Sequence, residues 1–304
     1  MNIIGRRRIW FAISLLVIIP GTISLILWGL RPGIDFSGGQ VMEIGKANDK
    51  QSSVKDVFEK AGVRDLTITT SGNDNLLARY RDAEGKTPSE TNEVVKAELA
   101  SIGAEQVAFE SVGPSVSRDI TRNAVVSMAL ASLAIVLFIA IAFRNTPPPV
   151  SPWSFGITAV LALLHDALVI IGIFSLLGHF FKVEIDSLFV TAVLTAVGFS
   201  VHDTIVVFDR IRENLKRYQG SFETIVNDSI AETVARSLST SLTVIFTLTA
   251  LLVFGGESIR LFILALLIGI LSGTFSSIFN AAPLLVVWHN FKLKRSAKKV
   301  SKIK

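Results

Sequence analysis

Six stretches of this chain are apolar over about twenty residues, the length at which a helix crosses roughly 30 Å of hydrocarbon. They constrain the fold more than any other feature. They run from Ile9 to Leu30, Ala124 to Phe143, Trp153 to Leu177, Leu188 to Phe208, Thr233 to Phe254 and Ile259 to Trp288. Half of the 304 residues are hydrophobic and only 18% are charged, outside the range of ordinary soluble domains. The chain reads as a multi-pass membrane protein. Arg6, Arg7 and Arg8 before the first stretch resemble the start of a signal peptide. The apolar run is too long for one, however, and ends in WGLRPGIDF without a small-residue cleavage pattern, so it is read as an uncleaved first span.

Lysine and arginine in short loops set orientation. Arg6 to Arg8, Arg144, the loop with Arg210, Arg212, Lys216 and Arg217, and the tail from Lys292 to Lys304 alternate with the poorly basic loops 178–187 and 255–260. Both termini are therefore expected in the cytoplasm and residues 31–122 outside. This bias accounts for the net charge of +5 without nucleic acid as a partner. The chain has no cysteine, which excludes disulfides, thiolate chemistry and Cys-based metal sites.

Residues 31–122 carry 15 acidic and 12 basic side chains and read as a water-exposed domain. GQVMEI (39–44) is a predicted strand, and Ser52 to Ala61 a helix capped by serine and stopped by Gly62. LTITT (66–70) and NLLARYR (75–81) form a hairpin across Ser71-Gly72-Asn73-Asp74. Pro88 to Ile102 is a second helix ended by Gly103, and QVAFESV (106–112) a last strand. The order β-α-β-β-α-β predicts a ferredoxin-like split arrangement. With no nucleophile–base pattern and no GxGxxG, the domain reads as a binding or lever module. The junctions RPGIDFSGGQ and SVGPSVSRD place Gly33, Gly38, Gly39, Gly113 and Pro114 where the chain enters and leaves it. They serve either as plain connectors or as hinges. The whole is a membrane α-helical protein with one extracytoplasmic ferredoxin-like α+β domain between spans one and two. Its segments are 1–30 (N-terminus and first span), 31–122 (external domain), 123–288 (spans two to six) and 289–304 (basic tail).

An ionised carboxylate at the bilayer centre costs about 2.5 to 3.5 kcal/mol on insertion scales, so such groups face protein and have partners. The third span carries His165 and Asp166, the fourth His202 and Asp203. Ser200, Asp203 and Thr204 share one helical face. On the fifth span Arg236, Thr240, Thr243 and Thr247 recur at helical spacing as a hydroxyl stripe headed by a cation. Spans four and five are joined on one side, so Asp203 and Arg236 lie at similar depth, where they could meet. Burial and a guanidinium act oppositely on a carboxyl, and a group held between them changes protonation as access changes. A proton carrier needs that property; a static ion pair fixing helix register is the alternative. For Asp166, His165 and His202 the structural reading takes precedence, and a metal site lacks further ligands. Gly269, Gly273, Ser272 and Ser276 are read as small residues for helix packing.

These blocks resemble the SecD/SecF family of bacterial protein-export proteins across essentially the whole chain. GIDFSGG (33–39), SVGP (111–114), FGG (254–256) and above all VHDTIVVFDRIREN (201–214) carry the resemblance. The family is related to the resistance-nodulation-division transporters, which have twice as many spans and two external loops, so this chain looks like half of such a machine. The resemblance implies a SecD partner, the SecYEG channel, unfolded preprotein as client, SecA acting beforehand, and YajC and YidC as candidate further partners. It implies no cofactor and no enzymatic activity. It places the protein in the bacterial inner membrane, or the thylakoid membrane of a cyanobacterium, using the proton-motive force. By resemblance Asp203 and Arg236 carry the proton-coupled step, with Asp166, His202, Thr240 and Thr243 as weaker candidates. His202 departs from a pattern that has Asn in many relatives. A half-size proton-driven exporter of lipids or small molecules is the alternative.

Overall fold

The computed structural model describes residues 2–71 and 74–300, and Gly72 and Asn73 of the expected hairpin turn lie outside them. The chain divides into two compact units, Pro32–Val125 and Met1–Arg31 with Val126–Lys304.

In the first unit, α2 (Ile34–Ser37) precedes β1 (Gly39–Gly45), α3 (Gln51–Lys60), β2 (Arg64–Ser71), β3 (Asn75–Arg81), α4 (Pro88–Ser101) and β4 (Glu105–Val112). The sheet order is β2-β3-β1-β4, every pair antiparallel. That is the split ferredoxin-like topology. Alternation does the work: Met42 and Ile44 of β1 and Leu76, Ala78 and Tyr80 of β3 point to one face, where Val54 and Phe58 of α3 and Val95 and Leu99 of α4 cover them. Gly62 and Gly103 take left-handed backbone after the two helices, as expected of glycine past a helix end. The serine cap expected for the first helix is not formed. α3 starts a residue earlier, after a 3-10 turn at Asn48–Lys50, and Lys50 offers no side-chain cap bond. α4 has a full capping box between Thr87 and Glu90.

The entry junction is helical rather than open, because α2 closes a turn with Gly38 N–H donating to Ile34 O at 2.8 Å. Gly38 and Gly39 have φ of 70° and 124°, which only glycine adopts without strain, whereas Gly33 has an ordinary φ of −74°. β1 and β4 stay paired up to Gly39 and Val112, so the strands leading in and out are tied together at the junction.

Among the described residues six helices are long and apolar enough to span a membrane, five within the second unit and one, α5, beginning in the first, and the protein is a multi-pass membrane protein. Their elements are α1 (Arg7–Trp28), α5 (Pro114–Ala142), α6 (Pro152–Phe181), α7 (Ser187–Arg217), α8 (Phe222–Phe254), α9 (Glu257–Ser276), a π-turn at Ser277–Ala281, and α10 (Ala282–Val300). The helices overrun the apolar stretches. α5 begins at Pro114, inside the expected return connector, and α8 runs unbroken from Phe222 to Phe254. The last span is not one regular helix. Pro283 has no N–H for Phe279 O, and the wide turn just before it absorbs that loss.

α1 and α6 approach closely where Gly21 meets Gly172. Ser175 Oγ donates to Gly29 O at 2.7 Å and so caps the end of α1, where Gly29 turns to positive φ. At one end of the bundle, Arg7 bonds Glu223 and Arg212 donates to Ala142 O, gathering the starts of α1 and α8 and the ends of α5 and α7. This is the basic end.

Candidate functional site

The bundle core is two apolar clusters with a polar layer between them. One cluster holds Phe155, Ala162, Val207 and Ile278, the other Ile170, Ala196, Leu248 and Ile270. Each inner helix carries buried polar residues between the two: Asp166 on α6, Ser200 and Asp203 on α7, Ser237 and Ser241 on α8, Thr274 and Ser276 on α9. Each helix thus interrupts its apolar face in mid-bundle. Polar groups at that depth cost free energy unless bonded to one another.

Asp203, midway along α7, is 2% exposed. Ser241 Oγ donates to its Oδ2 at 3.3 Å, and Thr274 Oγ1 donates to Ser241 at 2.7 Å. The expected pairing with Arg236 is not formed. Among the described residues Arg236 makes no ion pair, and it lies exposed on α8. Helical geometry gives the reason. Ser241 faces Asp203, and Arg236 is five residues earlier, about 140° around the helix at 100° per residue. Arg236 instead lines a crevice of about 330 Å³ with Val206, Asp209, Arg210, Glu213 and Glu232. Val206 is about one turn from Asp203, toward the basic end.

The hydroxyl stripe also belongs to another face. Thr240, Thr243 and Thr247 are exposed, and each donates to a carbonyl of its own helix, at 3.1, 2.9 and 3.0 Å. The interior stripe is Thr233, Ser237 and Ser241. Thr204 Oγ1 and Ser237 Oγ are buried with no hydrogen-bond partner among the described residues. His202 points outward and is exposed.

Asp166, given a structural role above, is the most heavily bonded group in the layer. Its Oδ2 accepts from Ser200 Oγ at 2.5 Å and Ser276 Oγ at 2.6 Å. Its Oδ1 accepts from Ser272 Oγ at 2.7 Å and contacts His165 Nδ1 at 2.9 Å. Ser272 and Ser276 therefore do more than pack, while the glycines beside them do pack. A Cβ on Gly269 would lie 2.3 Å from Ala196 Cβ, and one on Gly273 would lie 2.7 Å from Ser200 Cβ.

At the basic end the block Asp209 to Asn214 forms a charged rim. Arg210 bonds Glu232 and Glu213, Arg212 bonds Asp209, and Asn214 Nδ2 donates to Ser229 and Glu232 at 3.0 and 3.1 Å. Sequence reasoning missed Glu232, Asn214, Ser229, Ser241 and Thr274. Hydroxyls at i and i+4 on facing helices were the available signal, and that spacing marks packing equally well. Among the described residues no cluster of three His, Asp or Glu side chains is placed to hold a metal ion.

A family model described as "Protein export membrane protein SecD/SecF, C-terminal" matches residues 93–291. "Protein translocase subunit SecF" of Thermobaculum terrenum is 50% identical, over 95% of this chain and 94% of that protein. "Protein translocase subunit SecDF" of Bacillus subtilis is 33% identical over 96% of this chain, which covers 39% of it. Among solved structures, SecDF from Thermus, titled a translocon-associated membrane protein, superposes with a TM-score of 0.82 at 32% identity, over 95% of this chain and 39% of that one. The chain therefore belongs to the SecD/SecF family of protein-export membrane proteins.

Proposed function

We propose that the protein is a proton-driven, non-enzymatic subunit of the Sec export machinery. The observation that carries this reading is Asp203. It is a carboxyl buried at mid-bundle in a chain whose relatives are named protein translocase subunits, and among the described residues its one hydrogen bond comes from Ser241. A buried acid with one weak neutral partner changes protonation when its surroundings rearrange. Moving one charge across the membrane is worth about 2.3 kcal/mol per 100 mV, enough to bias a conformational change.

Arg236 acts from the crevice near Val206 by approaching and leaving Asp203 during the cycle. The chain works with a SecD half, since fused relatives carry both. The exposed polar stripe Arg236, Thr240, Thr243 and Thr247 and the sparsely buried α5 fit a face covered by that half. The complex acts with SecYEG on preprotein after SecA, in the bacterial cytoplasmic membrane, with both termini in the cytoplasm. The sheet-and-helix body between Gly39 and Gly113 moves about Gly38, Gly39 and the Gly113-Pro114 junction.

The test uses the complex with its SecD half in proteoliposomes. Asp203→Asn abolishes both proton flux and proton-dependent preprotein movement while SecA-driven movement continues. Normal values for both in an intact complex refute the reading.

A further inference from the structure

His165 and Asp166 do not contact Asp203, yet they sit in the same polar layer, midway along α6. Asp166 is 1% exposed and meets four groups, the hydroxyls of Ser200, Ser272 and Ser276 and the His165 ring. A register-fixing acid needs no histidine beside it. With Nδ1–H donating to Asp166, the lone pair of the ring lies on Nε2, which is buried and has no hydrogen-bond partner among the described residues. A carboxylate that holds one ring nitrogen while the other is left unpaired is a general way to make imidazole a proton acceptor.

Two further observations connect this dyad to Asp203. Ser200, bonded to Asp166, is one turn from Asp203 on α7, and Ser276, also bonded to Asp166, is two residues from Thr274 on α9. Thr274 bonds Ser241, which bonds Asp203. Ser200 also lies directly against Gly273, next to Thr274. Hydroxyls both donate and accept, so each carboxyl is bonded to groups able to pass a proton, and the two sets meet where α7 packs on α9 at Ser200 and Gly273. On the other side His165 borders crevices of about 330 and 210 Å³ that it shares with Ser14, itself bonded to Asn280 at 2.8 Å.

We propose that His165 and Asp166 form a second proton-binding station, exchanging its proton with Asp203 across the hydroxyls of Ser200, Ser276, Thr274 and Ser241. Uptake of one proton at Nε2 converts the dyad from a net charge of −1 to an imidazolium–carboxylate pair of net zero, and no other bond changes. The elements packed against the dyad bring Ser14 from α1, Ser200 from α7, Ser272 and Ser276 from α9 and Asn280 from the π-turn. The ionisable groups nearest in sequence to these are Asp203 and outward-facing His202 on α7. The inference rests on the proton-coupled reading of Asp203 and deepens it.

Proton flux against pH is measured in proteoliposomes holding the complex with its SecD half, together with complex yield. Asp166→Asn lowers flux by about a hundredfold or more, the scale of losing one proton-transfer group. His165→Gln changes the shape of the flux–pH profile. Ser276→Ala, which keeps every ionisable group, slows flux without changing that shape, and stands in if Asp166→Asn fails to assemble. Wild-type rates and profiles in the dyad variants beside a crippled Asp203→Asn overturn this inference alone, and silence in all of them overturns the proton-coupled reading as well. A loss that follows complex yield with an unmoved profile assigns the dyad to packing and also overturns it.

Discussion

Gly21 of α1 and Gly172 of α6 touch backbone to backbone, such that a Cβ on either would lie 2.8 Å from the other's Cα. Without a hydrophobic effect between helices in lipid, close backbone approach and the bonds it permits hold spans together. Here it brings Ser24 Oγ to 2.8 Å from Ser175 Oγ.

Gly172→Val is expected to destabilise the protein by about 1 to 3 kcal/mol through overpacking. Thermal unfolding in detergent measures this. Gly156→Ala on the same helix, where an added Cβ meets nothing within 4 Å, is the control and leaves the midpoint unchanged or raises it.

Arg236→Ala separates stability from coupling. Arg236 is exposed and makes no ion pair among the described residues, so its loss is expected to change stability by no more than about 0.5 kcal/mol. Under the proposed cycle the same substitution stops proton-dependent translocation. Unfolding midpoint and preprotein movement are measured on one sample, and a stable variant that still translocates removes Arg236 from the cycle.

Asn214 is 1% exposed and ties α7 to α8 through Ser229 and Glu232. Asn214→Ala leaves buried Ser229 without this donor, a change expected to cost about 1 to 3 kcal/mol. Hydrogen exchange of the 218–221 turn should accelerate before any other part of the bundle responds.

In the α+β domain, the Thr87 backbone N–H and hydroxyl hold the Glu90 carboxyl below its ordinary value. Because the folded value is the lower one, the cap is fully stabilising above pH 4.5 and weakens as pH falls through the lowered folded value. Amide exchange at the start of α4, corrected for intrinsic rate, should rise on acidification in the native protein. Glu90→Gln should flatten that dependence.

Much of the architecture is legible from local pattern. Alternation in GQVMEI and NLLARYR gives strands with one buried face, and Gly62 and Gly103 stop helices where positive φ is needed. Asp203 and Asp166 stand out because charge inside an apolar span is costly. The missing contact between Arg236 and Asp203 has an equally local origin. Spacing shows which residues share a face and leaves open which face turns inward, and the stripe at 236, 240, 243 and 247 shares its helix with a second hydroxyl stripe at 233, 237 and 241.

By itself the sequence determined six spans, the α+β domain between the first two and the costly carboxyls, because hydrophobic length, period and the price of burying charge are properties of single segments. The tertiary structure alone decided that Ser241 attends Asp203, that Arg236 stands apart from it, and that Ser200, Ser272 and Ser276 converge on Asp166. Those depend on the rotation of each helix about its axis. That rotation is set by close contacts such as Gly273 against Ser200 and Gly269 against Ala196, between residues far apart in the chain.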